Sequence, residues 1–289
     1  MRRGISMKNG MVKYILFCCI CLSAQADDKI RIISLSPNLT EIIFQIGAGD
    51  CIVGRSSACD YPPEAGKIPI AGNLGLPSME FAAAVKPDYI VSLEIVDDGI
   101  RRNIERLGIK FVPLPHETLD DYYMAVSELG RILACRERAD EEIRRVKKIF
   151  DREKKITRSI PREKMPRVYL EVWDNPFMTV GGKSFAHDLI TMAGGVNVAG
   201  KENTGCLKCS REWVILSRPD VIIAPAMGKF AGGQIRKRDG WSEIPAVKND
   251  RIYTGMEESL LYRLGPRMTE SLKIFRKCFY PDGVPGSAE

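Results

Sequence analysis

The residues able to do covalent chemistry are few and poorly spaced for it. Two histidines occur in 289 residues. His187 neighbours Asp188, but adjacent side chains on a helix point to different faces, and no Gly-x-Ser-x-Gly turn accompanies them. His116 sits between Pro115 and Glu117 in a connecting segment. Neither histidine has metal-ligand spacing to the other, and a bare zinc or manganese ion needs several nitrogen and oxygen ligands in one place. Cys206-Leu-Lys-Cys209 has the spacing of a redox dithiol or half a zinc site. No second cysteine pair or nearby histidine completes a zinc set, and no Trp or Pro supplies a thioredoxin-like context. A local disulfide or two free thiols in a loop is the plainer reading. No Gly-x-x-x-x-Gly-Lys-Ser/Thr loop is present, which removes phosphate-loop ATPases. Non-covalent capture with no intrinsic metal or cofactor is the expectation, and an enzyme using Cys206/Cys209 or His187 is the alternative.

The elements that position these residues come from an internal repeat. Ser78-Met-Glu80 through Lys86-Pro87-Asp88-Tyr-Ile90-Val91 matches Ser210-Arg-Glu212 through Arg218-Pro219-Asp220-Val-Ile222-Ile223 at a constant offset of 132 residues. Each copy reads as a short helix followed by a strand. The serine can cap the helix, the glutamate sits in its first turn, and the basic-Pro-Asp sequence stops it. The unalternating apolar run after each Asp fits a strand covered on both faces. A looser pair, Ile46–Gly54 and Ala193–Gly200, supports two lobes of one design.

Strands are expected near 31–35, 51–55, 88–93 and 109–113 in the first lobe, and near 167–173, 220–224 and 251–254 in the second. Helices are expected near 38–46, 79–85 and 97–107, then 184–193, 210–217 and 266–278. The alternation argues for parallel sheets in both lobes. Between them, residues 131–160 lack Gly and Pro, and Ala139, Ile143, Val146, Ile149 and Phe150 recur at three- and four-residue steps. One rigid helix of about 20 residues, roughly 30 Å long, follows. The fold class is therefore α/β, with two Rossmann-like lobes joined by one long helix and a ligand cleft between them. The division is 27–134, 135–160 and 161–281, with a disordered tail at 282–289.

Arg2, Arg3, Lys8 and Lys13 precede the apolar run Tyr14–Leu22, and Ala24-Gln-Ala26 follows. That order predicts an export signal at 1–26, cleaved after Ala26, and hence a periplasmic location. The run is about half of what a spanning helix needs. Neither Cys19 nor Cys21 has a lipoprotein context, so a free periplasmic protein is expected. The net charge of +6 falls to +2 once those four cations leave, with 39 basic and 37 acidic residues remaining. Arg236-Lys-Arg238 is too short for a nucleic-acid surface and reads as a solvated loop. Six cysteines remain, at 51, 59, 135, 206, 209 and 278, and sequence alone does not pair them.

Several motifs in order carry a resemblance. They are Ser34-Leu-Ser-Pro37 through Thr40-Glu41, Asp60-Tyr61-Pro62-Pro63-Glu64-Ala65, Glu80 with Lys86-Pro87-Asp88, and Gly194-Gly195-Val-Asn197. Glu212 with Arg218-Pro219-Asp220, Trp241 with Ile244-Pro245-Ala246-Val247, and Arg263 with Gly265-Pro266-Arg267 complete the set. Over nearly all of 30–280 the chain resembles the helical-backbone (class III) solute-binding proteins of ABC importers, and Asp-Tyr-Pro-Pro followed by Glu80 looks most like their vitamin B12-binding branch.

The resemblance implies a monomeric periplasmic receptor whose partners are a bulky chelate, cobalamin or another corrinoid first, and an inner-membrane ABC permease with its ATPase. It implies that Glu80 and Glu212 dock on permease arginines. The ligand-facing set it implies is Asp60, Tyr61, Trp173, Phe177, Met178, Ser259, Tyr262 and Arg263. Trp173 and Phe177 could instead pack in the seam between lobes, whereas Trp241 reads as core. Departures bring in a ferric siderophore or haem as the competing ligand. Leu74 and Cys206 stand where two corrin-clasping tryptophans are expected, Ser259 replaces a cleft acid, and Ala193 replaces a cysteine some members pair with the last helix.

Overall fold

A computed structural model describes residues 29–93, 97–225 and 232–285. The export signal at 1–26 and the last residues of the tail lie outside the described residues. The first lobe is a six-stranded sheet of β1 (Ile32–Ser34), β2 (Ile52–Ser56), β3 (Ile70–Asn73), β4 (Leu76–Pro77), β5 (Tyr89–Leu93) and β6 (Lys110–Leu114), in the order β4-β3-β2-β1-β5-β6. Its helices are α1 (Pro37–Gln45), α2 (Met79–Val85), α3 (Asp98–Arg106) and α4 (Leu119–Ile132). After α5 (Arg136–Arg158) come β7 (Arg167–Asp174), β8 (Phe177–Val180), α6 (Phe185–Met192), β9 (Val196–Asn197), β10 (Cys206–Lys208), α7 (Arg211–Ser217) and β11 (Val221–Ala224). The second lobe closes with α8 (Gly232–Arg236), α9 (Pro245–Lys248), β12 (Ile252–Thr254), α10 (Glu258–Tyr262) and α11 (Met268–Phe279).

The repeat extends to side-chain detail. Ser78 Oγ accepts from Phe81 N at 3.2 Å, and Ser210 Oγ accepts from Trp213 N at 3.1 Å, so each serine caps its helix. Lys86 and Arg218 end those helices in the left-handed region, at φ 46° and 43°. The proline that follows disfavours another helical residue. Asp88 accepts from Arg31 N at 2.7 Å, Asp220 accepts from Arg167 N at 2.8 Å, and the two arginines donate onward to Val85 O and Ser217 O. Parallel β2-β1-β5-β6 thereby corresponds to parallel β9-β7-β11-β12.

The expectation of purely parallel sheets is corrected. β4 runs antiparallel to β3, and the second half of β7 pairs antiparallel with β8, which pairs antiparallel with β10. Asn175-Pro176 makes the two-residue turn between β7 and β8, so a hairpin follows the strand expected near 167–173. The tail also starts later than 282, because Gly283 N donates to Tyr280 O and Val284 packs on the core.

Strand residues alternate between two layers, as the period of 2 requires. Ile33, Ile90 and Ile104 form a core private to the first lobe; Tyr169, Ile222, Val214 and Trp241 form one private to the second. Ile32, Val91, Val168 and Ile223 face a single shared core with α1, α4, α5, α6 and α11. The long helix starts at Arg136 after a left-handed Ala134 at φ 54°. Arg276 of α11 ties it down by donating to Glu153 Oε2 at 2.8 Å and to Met192 O at 3.0 Å. A shared core, not a tether, joins the lobes.

Candidate functional site

The carboxyl ends of parallel strands are where α/β sheets carry their binding loops. Asp60 and Tyr61 follow β2, Trp173 is the last residue but one of β7, and Ser259, Tyr262 and Arg263 lie beyond β12. Tyr61 on one lobe is 41% exposed and Trp173 on the other is 56% exposed. Such rings offer a large rigid contact face together with a polar edge, which suits them to a ligand surface. Trp173 is held in place by its own indole, which donates to Asn175 O at 3.0 Å, and it pairs with half-buried Met178 across the hairpin.

Arginines of the second lobe cross to acids of the first. Arg263 donates Nη1 to Asp60 Oδ1 at 2.6 Å and Nη2 to Asp60 Oδ2 at 3.3 Å. Its Nη1 also lies 3.4 Å from Glu41 Oε1. Arg267 takes Glu41 in a fork, Nε to Oε2 and Nη2 to Oε1, both at 3.0 Å, and donates to Glu257 at 2.7 Å. The same guanidinium lies 3.8 Å from the centre of the Tyr61 ring. Ser259, in the place of an expected acid, accepts from Arg267 at 3.1 Å and donates to Glu257. Glu41 is buried, and a buried carboxylate is tolerable only with such partners. The hydrogen bond from Arg263 holds the Asp60 carboxyl below the usual carboxylate range. Burial opposes the charge on Arg267, and the carboxylates of Glu41 and Glu257 outweigh it, raising its pKa.

Not every expected residue meets there. Phe177 packs 5.7 Å from the Trp241 ring, in the second lobe's own core, and Trp241 is fully buried as core. Tyr262 donates its hydroxyl to Glu171 O at 2.7 Å. Arg238 corrects the reading of 236–238 as a solvated loop. It forks onto buried Glu171 at 2.6 and 2.8 Å and lies over both the Phe177 and Trp241 rings, 4.8 and 4.4 Å from their centroids. A buried acid on a strand needs a cation, and a guanidinium can both pair with it and stack on rings. In the sequence Glu41 and Arg267 stand out only as members of motifs, and nothing singles out Glu257 or Glu171. The one signal was an acid on the apolar face of α1.

The other chemical candidates separate in space. Cys206 and Cys209 lie three residues apart along an extended edge, where side chains alternate, and Cys209 N bonds to Phe177 O at 2.9 Å. Cys206 is exposed, whereas Cys209 Sγ lies 3.8 Å from the Tyr169 hydroxyl. Partial desolvation raises both thiols above the ordinary cysteine value, the direction opposite to that of an activated thiolate. His187 meets Asn197 at 3.3 Å, whereas Asp188 lines a cavity of about 790 Å³ between α4, α5 and α6. A cavity of about 500 Å³ on the ion-pair side is lined by Glu41, Tyr61, Arg145 and Arg267. No cluster of three or more metal-ligating side chains occurs among the described residues, and no described helix is long and apolar enough to cross a membrane. Glu80 and Glu212 stand exposed in the first turns of α2 and α7. A hydrogen bond from its own backbone N–H and one from Ser210 lower the pKa of Glu212.

Comparison with known proteins places this geometry. The chain is 27% identical over 258 residues to an uncharacterized ABC transporter substrate-binding lipoprotein, YvrC, of Bacillus subtilis, covering 87% of this chain and 80% of that one. It is 26% identical over 239 residues to a vitamin B12-binding protein of Vibrio campbellii, covering 78% and 80%. A possible iron-binding (periplasmic solute-binding) protein from Staphylococcus epidermidis superimposes with a TM-score of 0.75 at 30% identity, over 86% of this chain and 98% of that one. The periplasmic heme-binding protein RhuT from Roseiflexus shares the fold, with a TM-score of 0.76 at 24% identity over 88% and 98%. The periplasmic binding protein family matches residues 32–258, and with two repeated α/β lobes on one helix the chain belongs to that family.

Proposed function

We propose that this protein is the periplasmic substrate-binding component of an ABC importer, that it captures a bulky metal chelate between its lobes, and that it hands the chelate to an inner-membrane permease. The observation that carries the reading is the Asp60–Arg263 contact that crosses between lobes, together with an exposed ring on each lobe, Tyr61 against Arg267 and Trp173 near the end of β7. Flat rigid rings suit a macrocycle, and a paired acid and guanidinium suit its polar periphery. A corrinoid is the first choice, supported by relatives named for vitamin B12 binding. A ferric siderophore or haem is the second, favoured by Leu74 and Cys206 at the expected tryptophan positions and by the likeness to a possible iron-binding protein. Catalysis plays no part in this reading, because the thiols and histidines stand apart and the binding needs no bond making.

Glu80 and Glu212 then serve as paired contacts with permease arginines. Exposed charges at a rim set orientation and association rate more than affinity. A ligand present at about one hundred times its Kd stabilises the folded chain by about 2.7 kcal/mol. For a chain of this size that corresponds to a rise in melting temperature of roughly 5 °C or more. Cyanocobalamin, a ferric siderophore or haem is expected to produce it; no shift with any of them would falsify the proposed capture.

A further inference from the structure

Resting on the proposed capture of a chelate in this cleft, we infer that Asp60 is a charge filter: it makes the cleft prefer ligands edged with neutral carboxamides over ligands edged with carboxylates. The inference comes from how the cleft's cations are already engaged. Arg267 is nearly buried and surrounded by Glu41 and Glu257. Arg263 has Glu41 behind it, with a side chain only 2% exposed, and Asp60 in front of it, 67% exposed. Three carboxylates thus meet two guanidiniums; Glu257, 57% exposed, is the solvent-facing acid on Arg267, and Asp60 is the one on Arg263, where a ligand approaching that guanidinium meets it.

An incoming carboxylate must either stay beside the ionised Asp60 or displace it from Arg263. The first sets like charges together; the second strips Asp60 of the fork that keeps its pKa low. A carboxamide needs neither. Its carbonyl can accept from the guanidinium, which has five N–H donors, while its N–H₂ donates to Asp60, whose two oxygens have about four acceptor positions. The ion pair survives and the amide completes it. Asp60 also lies at the start of the Asp-Tyr-Pro-Pro segment that carries Tyr61, so ring contact and charge selection come from one loop.

Two matched probe pairs test this, each holding the macrocycle constant and changing only its edge. The first is dicyanocobinamide against dicyanocobyrinic acid, the same corrin with carboxamides or with carboxylates. The second is haemin against its propionate bis-amide. In whichever pair binds, the wild-type protein is expected to hold the amide form about tenfold more tightly or better. Asp60→Asn is expected to shrink that ratio by about tenfold, mainly by tightening the carboxylate form. Asp60→Glu is expected to keep the preference, and both variants should melt as cooperatively as the wild type because the side chain is largely in solvent. A pair that binds without an amide preference, or a preference that Asp60→Asn leaves unchanged, overturns the inference while capture stands. Binding of neither pair overturns the inference and the corrinoid and haem readings together.

Discussion

Glu41 shows how a single side chain joins the two halves. It lies on the buried face of α1, where an apolar residue would ordinarily sit, and its carboxylate accepts from Arg263 and Arg267. Those partners lie 222 and 226 positions further along the chain, so sequence shows an acid in an apolar stripe and nothing of what neutralises it. Without the Glu41 carboxylate Arg263 keeps Asp60 and Arg267 keeps Glu257. The cost is that of losing buried hydrogen bonds to a charged group, which still exceeds that of losing an exposed pair. Glu41→Gln should therefore destabilise the protein by about 2–3 kcal/mol, read from its urea midpoint. Glu105→Gln, which breaks the half-exposed Arg101–Glu105 pair, should leave that midpoint unmoved. Equal effects from the two substitutions would mean that the contacts between lobes are not special.

At the level of elements, the parts that repeat a pattern were legible and the parts that depend on partners were not. Apolar runs after Asp88 and Asp220 identified β5 and β11, and the capping serines marked the starts of α2 and α7. The short edge strands β4 and β10, and β8 between β10 and β7, escaped because their pairing is decided by neighbours in space. Of the candidate site, motif order singles out Asp60, Tyr61 and Arg263 and the end of a second-lobe strand singles out Trp173, whereas the packing of Phe177 and Arg238 is not legible because only contact with Trp241 tells which way they turn. Gly130 is a further element-level constraint. It sits where α4 crosses the start of α5, and an added Cβ there would come within 2.4 Å of the Ala139 methyl. Gly130→Ala should push the two helices apart and cost about 1–3 kcal/mol, although alanine is the better helix former. Differential scanning calorimetry would register this as a lower melting temperature, and an unchanged or raised one would contradict the close crossing.

Across the whole molecule, a shared core of α1, α4, α5, α6 and α11 resists independent movement of the lobes, so the exposed acids on α2 and α7 keep a fixed separation. A fixed pair of charges is a useful register for a partner with matching cations. Glu80→Arg combined with Glu212→Arg should abolish uptake in cells and leave ligand affinity as it was; a parallel loss of affinity would refute the docking role. Capture itself is tested most directly by calorimetric titration of the purified protein with cyanocobalamin, haem and a ferric siderophore, repeated on Tyr61→Ala with Trp173→Ala. The expected result is saturable one-to-one binding of one of these ligands, weakened at least about tenfold in the double variant, since aromatic anchors carry a large share of contact energy. No saturable binding of any of the three, or binding that the loss of both rings does not alter, would contradict a chelate held between the lobes.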